Sequence, residues 1–308
     1  MQIYVSGSLA YDRIMDFPGR FEDHILPDKI HVLNVSFMVN GLTENFGGTA
    51  GNIAYSLSLL GEAPLILSAV GTDFDRYAQW LATCRLSTAG IRRCQDVFTA
   101  GAYITTDRSD NQITAFNPGA MQFSSNFKFE NVDAEDALAI VGPGNLDDMR
   151  QYSRRYKTLG VDYIFDPGQA TPALSGEALI EMITGCRILI SNDYELELIR
   201  KATGMEVRDI LTRCPAVITT LGEKGSVVRT TQSEDVIPVV AVDHAVDPTG
   251  AGDAYRGGLI KGLVENKSLV EAARMGAVSA SYAVEKQGTQ VHVFSLEEFE
   301  ARFRHVFE

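Results

Sequence analysis

The chain reads as a doubly wound, three-layer α/β/α protein carrying a small β-rich lid, and three observations point there. Short apolar strands alternate with amphipathic helical stretches through most of the 308 residues, the pattern of parallel strands joined by crossover helices. The composition is 45% apolar and 22% charged, with 27 Gly and 10 Pro, which is near the globular average and excludes low-complexity and fibrous classes. Three-layer folds of this length often form one unit although ~150 residues per domain is the usual prior. No linker rich in Pro, Gly and Ser divides the chain, so a single domain over 1–308 is expected.

In order, the expected strands are 2–7 (QIYVSG), 64–70 (PLILSAV), 137–141 (ALAIV), 161–166 (VDYIFD), 187–191 (RILIS) and 215–220 (PAVITT), all short apolar runs. Between them the helical pattern falls near 50–60, 74–89, 146–159, 175–184, 193–203 and 206–213, then 251–264, 268–285 and 295–304. Two inserts, about 13–46 and 97–118, break this rhythm. Val32–Phe37 and Ala102–Thr106 read as β pieces without helical partners, and the inserts could pair as a small sheet leaving the main body. Such a sheet serves either as a lid or as surface hairpins and a dimer edge.

A formal net charge of −13 argues against a nucleic-acid groove, because affinity for a polyanion comes mainly from clustered Lys and Arg that release counterions. A local anion site survives that argument. Cys84, Cys94, Cys186 and Cys214 form no Cys-x-x-Cys pair, which excludes a zinc ribbon and a thioredoxin-type motif and leaves four reduced thiols. No apolar run approaches the ~18 residues of a membrane span, and Gln2-Ile3-Tyr4-Val5 is no signal sequence. A soluble cytoplasmic protein is expected.

The strongest local signal is Asp247-Pro248-Thr249-Gly250-Ala251-Gly252-Asp253, running into a helix of small residues. Glycines let the backbone turn so that successive N–H groups converge, and the helix adds its positive end, which makes an anion cradle. A carboxylate there opposes an incoming phosphate unless it works as a general base towards a hydroxyl. The bland alternative is a capped helix behind a glycine turn. No Walker-type loop exists, Tyr255 replaces the third glycine of a dinucleotide fingerprint, and the protein-kinase set is absent.

Gly47-Gly48-Thr49-Ala50-Gly51-Asn52 enters another helix and fits a polyol pocket, with Asn52 able to bond a hydroxyl, or a tight turn capped by Thr49. Asn192 and Glu195 place hard oxygen donors on one helical turn, suited to Mg²⁺ or to plain capping. Thr220, Gly222 and Gly225 shape either a loop over a nucleotide or a hairpin. All four motifs fall at carboxyl ends of strands, where open α/β sheets gather ligands.

Together these motifs resemble the ribokinase-like PfkB carbohydrate kinase family, matching in order from about Gly7 to Gln287. The resemblance implies transfer of the ATP γ-phosphate to a primary hydroxyl of a sugar or nucleoside beneath a β-rich lid. It implies Asp253 as base with Gly250, Ala251 and Gly252 as anion hole, Asn192, Thr220, Gly222 and Gly225 at the nucleotide, and Glu195 with Asn192 at Mg²⁺. Asp247 would lie near a K⁺ loop, or simply cap its turn.

The N-terminal third is similar to bacterial adenosine kinases of this family, through Asn34-Val35-Ser36-Phe37, Gly47–Ala54 and Ala115–Met121. That similarity implies Asp12 and Asn52 on ribose hydroxyls, Ser8 and Ser36 on the purine side, Gly47 and Gly48 in the acceptor pocket, and Phe116 stacked on the base. Gln169 keeps one of two expected glutamines, and Ala102-Tyr103 departs from the aromatic expected in the first lid hairpin. Adenosine is the leading acceptor, with another purine nucleoside, ribose or fructose as rivals, and a non-catalytic nucleoside-binding protein as the non-enzyme alternative. Arg256 either neutralises phosphate or is a solvated helix arginine. Lid edges could pair in a homodimer.

Overall fold

A computed structural model describes residues 1–25, 34–109 and 111–308. The chain begins β1 (Gln2–Ser6), β2 (Ala10–Asp16), β3 (Leu42–Gly47), α1 (Thr49–Leu59), β4 (Leu65–Val70), α2 (Asp75–Thr83), β5 (Ile91–Arg93), β6 (Ala100–Thr106) and β7 (Gln112–Asn117). It continues β8 (Ala137–Val141), α3 (Leu146–Leu159), β9 (Asp162–Phe165), α4 (Gly176–Ile183), β10 (Ile188–Asn192), α5 (Asp193–Thr203), α6 (Val207–Ile210) and β11 (Ala216–Thr220). The last elements are β12 (Ser226–Thr230), β13 (Glu234–Ile237), α7 (Ala251–Val264), α8 (Leu269–Val284) and α9 (Leu296–Phe307).

A nine-stranded sheet runs β13-β12-β11-β10-β9-β8-β1-β4-β5, parallel from β11 to β5 and antiparallel at β12 and β13. Alternate strand residues go to opposite faces, as the two-residue period requires. Ile3, Val5, Leu138 and Ile140 pack with α1, α2, α7, α8 and α9. Tyr4, Ala139, Val141 and Tyr163 pack with α3, α4 and α5. The three-layer α/β/α expectation is what the chain forms. The chain leaves β1 through α1 towards β4, while β8 lies on the other side of β1. That reversal opens a crevice at the carboxyl ends, where Ser6 pairs with Val141 and Asn192 with Thr220.

A second sheet, β3-β2-β6-β7, forms from the two inserts, with β2 and β6 parallel. Its third segment corrects the sequence expectation. Residues 34–37 carry no regular structure, residues 32–33 lie outside the described ones, and the strand is β3, pairing antiparallel with β2 from Leu42 to Gly47. The helix expected over 74–89 ends at Thr83 because Arg85 turns to φ 58°. The stretch 206–213 yields only the one-turn α6. Among the described residues no helix is long and apolar enough to cross a membrane, and all four cysteines are free thiols.

Candidate active site

The entrance to α7 is held open from below. Asp247 accepts the N–H of Thr249 at 2.9 Å and of Gly288 at 2.8 Å, so both its oxygens hold the turn. Burial pushes its carboxyl up, but hydrogen bonds from Thr249 and Gly288 outweigh that and leave it below the usual range. Gly250 then takes φ 79° as N-cap, a left-handed position, and no side chain caps the helix. Ala251 N–H is spent on the Pro248 carbonyl at 3.1 Å. The N–H groups of Gly252 and Asp253, in the first turn, have no intrahelical acceptor. Of the donors expected in the cradle, Ala251 is therefore already engaged.

Asp253 is partly exposed at the base of this turn, and burial pushes its carboxyl up to about 6. Asp166 and Asp12 act in the same direction, while Arg256 and the Asn52 amide oppose it. Asn52 Nδ2 donates to Asp253 Oδ2 at 2.8 Å. Arg256 is not a solvated arginine. It is buried and clasps Asp166 with two N–H groups, one at 2.8 Å, while Nη1 donates to Gly252 O at 2.8 Å. Sequence reasoning missed Asp166, although its place at the end of a strand before Pro167-Gly168 is the kind of signal that drew attention to Asn192.

The glycines before α1 have separate reasons. A Cβ on Gly47 would lie 2.5 Å from Asp12 Oδ2. Gly48, at φ 87°, would drive one into the backbone of Ser8 and Ala10 at 2.6 and 2.7 Å. Thr49 does not cap the helix; its N–H donates to Ser8 Oγ at 3.1 Å, so the cap comes from across the chain. Burial raises the Asp12 carboxyl.

Register fixes the face of the second sheet. Asn45, Asp12, Ala102 and Phe116 stand opposite one another across β3, β2, β6 and β7, so their side chains share one side. Phe116 is 53% exposed there rather than part of a core. Tyr103 points to the other face, where Arg13 Nη1 donates to its hydroxyl at 3.0 Å. Ser36 is exposed on the irregular segment following the undescribed residues.

A cleft of about 220 Å³ gathers Gly250, Gly252, Asp253, Asn192, Glu195, Thr220 and Gln169, with Asp166 and Arg256 in its wall. Asn192 and Glu195 form a reciprocal capping box, Glu195 N–H to Asn192 Oδ1 at 2.7 Å and Asn192 N–H to Glu195 Oε2 at 2.8 Å. The capping reading of this motif is thus realised, yet Glu195 Oε1 has no hydrogen-bond partner among the described residues. Burial raises the Glu195 carboxyl, against the Asn192 N–H. No three His, Cys, Asp or Glu side chains converge as a metal cage among the described residues. One free carboxylate oxygen beside the cleft fits Mg²⁺, which takes few protein ligands and keeps waters.

Thr220 ends β11, and Leu221 N–H closes the hairpin to β12 on Gly225 O at 2.8 Å. Gly225 is needed for packing, since a Cβ would fall 2.1 Å from Ile237 O, whereas Gly222, at φ 58°, faces open space. Neither lines the cleft, and Ser8, Asp12, Ser36 and Phe116 lie outside its wall as well.

A doubly wound sheet with this cleft at its carboxyl edge has the architecture of the ribokinase-like kinases. The profile of the pfkB family carbohydrate kinases matches residues 11–294, and the chain belongs to that family; it is an ATP-dependent kinase. It is 33% identical to a nucleoside kinase of Methanocaldococcus jannaschii over 84% of this chain and 86% of the relative. A solved nucleoside kinase of Burkholderia thailandensis, in complex with inosine, superposes with TM-score 0.87 at 37% identity, covering 99% of this chain and 98% of that one. The solved Methanocaldococcus jannaschii nucleoside kinase gives TM-score 0.89 at 29% identity, covering 99% of both chains.

Proposed function

We propose that the chain transfers the γ-phosphoryl group of ATP to the 5′-hydroxyl of a purine nucleoside. The observation that carries this reading is the meeting of a carboxylate and two unpaired N–H groups within the first turn of α7. Asp253 accepts the hydroxyl proton as the new O–P bond forms and the bond from the γ-phosphorus to the β-phosphate oxygen breaks, with ADP leaving; a carboxyl near 6 is mostly ionised at neutral pH yet still basic. The amides of Gly250, Gly252 and Asp253 face the charge spread over the moving phosphoryl group. Asn192 and Thr220 hold the nucleotide, and Gly222 and Gly225 shape the hairpin loop that follows Thr220. Asn192 and Glu195 Oε1 are the residues that would hold Mg²⁺, which supplies neutralisation of phosphate charge when bound.

On the acceptor side, Asp12 and the second N–H of the Asn52 amide take ribose hydroxyls. Phe116 stacks on the base, a contact contributing ~1–3 kcal/mol, while Ser8, Ser36 and Gln169 face its edge. The four-stranded sheet is the lid of a single kinase unit. An exposed aromatic on the Asp12 face favours a nucleoside over a bare sugar, which would leave Phe116 without a partner. Adenosine is the acceptor the sequence resemblance favours. Inosine stands beside it because the Burkholderia relative binds inosine. ADP release measured with adenosine, inosine, guanosine, cytidine, ribose and fructose tests the reading. Purine nucleosides are expected to lead; a sugar leading makes the chain a sugar kinase, and silence towards all six makes it a binding protein.

A further inference from the structure

Behind Asp253 a line of side-chain hydrogen bonds runs inward to Trp80. Trp80 Nε1 donates to Gln290 Oε1 at 2.8 Å. Gln290 Nε2 donates to Asn52 Oδ1 at 3.0 Å and to the Tyr77 hydroxyl at 2.6 Å. Asn52 Nδ2 completes the line on Asp253 Oδ2 at 2.8 Å.

The direction of this line is dictated from its far end. An indole N–H only donates, so Trp80 must meet the oxygen end of Gln290. The Tyr77 hydroxyl gives its hydrogen to the Gly47 carbonyl at 2.8 Å, so it offers Gln290 a lone pair and must meet the nitrogen end. Both neighbours orient the Gln290 amide the same way. Its nitrogen then faces the Asn52 oxygen, and Asn52 is obliged to turn its own nitrogen towards Asp253.

The fold makes room for this at some cost. Gln290 is 3% exposed and adopts φ 57°, uncommon for a residue with a side chain. A Cβ on Gly51 would lie 2.0 Å from the Tyr77 hydroxyl and 2.9 Å from Gln290 Nε2. The Trp80 ring is held between Phe46 and Tyr55, with centroids at 5.7 and 5.8 Å.

We propose that Trp80 and Gln290 are positioning residues for phosphoryl transfer, fixing the Asn52 amide so that Asp253 meets an N–H and not a carbonyl oxygen. The proposal deepens the function given above and rests on the role of Asp253 in it. The charged groups facing Asp253 are Arg256 on its own helix, Asp166 after β9 and Asp12 on β2, with Asn52 from α1. Arg256 is shared with Asp166. Turning the Asn52 oxygen onto Asp253 would set two acceptors face to face and favour the protonated carboxyl.

The test is the pH profile of kcat for Gln290→Met and Trp80→Phe at saturating ATP and acceptor. The acid limb of Gln290→Met should move upward by about one unit, lowering turnover on the acid side about tenfold, that of Trp80→Phe should move by less because Tyr77 still orients Gln290, and the curves should converge with wild type on the alkaline side. KM for ATP should stay unchanged. An unmoved limb, an equal loss at every pH, or a loss confined to KM overturns the proposal. Gln290→Glu keeps the shape but demands an N–H from Asn52, and should move the limb at least as far. If Gln290→Met does not fold, judged by the near-ultraviolet circular dichroism of the single tryptophan, Gln290→Glu carries the same decision. Titrating the Asp253 carboxyl by ¹³C NMR reads the shift without turnover. A wild type inactive on every acceptor would therefore sink the functional reading while the titration still decides the positioning.

Discussion

Helices α7 and α9 begin in opposite ways. Ser295 and Glu298 start α9 with a reciprocal capping box, Ser295 N–H to Glu298 Oε2 at 2.7 Å and Glu298 N–H to Ser295 Oγ at 3.2 Å. Gly250 starts α7 in a left-handed conformation with no side-chain cap, and the first turn carries a carboxylate near two others. By local energetics α7 is the poorer start. It is held instead by burial against α1 and α8 at glycines that allow close approach, with hypothetical Cβ atoms 2.7 Å from Ser56 Cβ at Gly257 and 2.4 Å from Met275 O at Gly258. The molecule caps the peripheral helix and leaves the central one open towards the cleft.

The largest expected effect breaks that contrast at its chemical end. Asp253→Asn should lower kcat by about 10²–10⁴-fold, the range for losing a general base, with ADP binding retained by calorimetry. The same variant should be more stable than wild type at pH 7. An acid whose folded pKa is raised, here from 3.8 to about 6, holds its proton more tightly when folded, so stability is lost as pH rises through that window. Asn escapes the loss. A variant both active and no more stable would remove Asp253 from this role.

Acid should separate function from fold. Burial pushes the His292 imidazole down to about 4 from 6.5, where its ring lies edge-on to Tyr55, 5.2 Å between centroids. The unfolded chain therefore takes up this proton first, so the His292 contribution falls as pH drops from 6.5 towards 4 at up to about 1.4 kcal/mol per unit, and below about pH 6 the proton that folded Asp253 takes up offsets it. Asp253 is already mostly protonated at pH 5. Turnover should fall there to about a tenth while circular dichroism stays native and activity returns at pH 7.5. His292→Phe should remove the opposing term and leave the variant more stable than wild type at pH 5, without moving the activity limb.

The parallel core was legible because its signal is local. The apolar runs of β1, β4, β8, β9, β10 and β11 lie within a residue of their expected places. The antiparallel extension was not, since Glu234–Ile237 is a polar edge strand and β12 reads as the exit of a glycine loop. β3 was displaced because Leu42–Gly47 has no apolar alternation and takes its register from β2. Motif residues were legible as types, and the cleft gathers Asp253, Asn192, Glu195 and Thr220. What spacing could not separate was capping from ligand binding, because Asn192-x-x-Glu195 beside the cleft and Ser295-x-x-Glu298 away from it carry the same pattern. Gln290 was invisible for another reason: its partners Trp80 and Asn52 are 210 and 238 residues away, and nothing local marks a buried amide.

Packing at α7 gives an intermediate effect. Gly258→Ala would press a methyl against the Met275 carbonyl, and overpacking of this kind costs about 1–3 kcal/mol. Its melting temperature should fall, and because α7 carries Asp253, turnover should fall too. A stable, fully active variant would show that burial is not what holds the uncapped helix.

The smallest effect concerns the other side of the contrast. Ser295→Ala removes one arm of the α9 box and should cost about 1 kcal/mol, typical for losing a serine cap, read as a lower midpoint in urea with unchanged slope. Glu298 would keep its bond to the Ser295 N–H, so the loss should stay at the low end of that range. Because α9 contributes no residue to the lining of the cleft, kcat and both KM values should match wild type, and the thermal shift on adding ATP and Mg²⁺ should be undiminished. A change in that shift would mean the two helix starts are energetically coupled, and that capping at the periphery contributes to the open turn at Gly250.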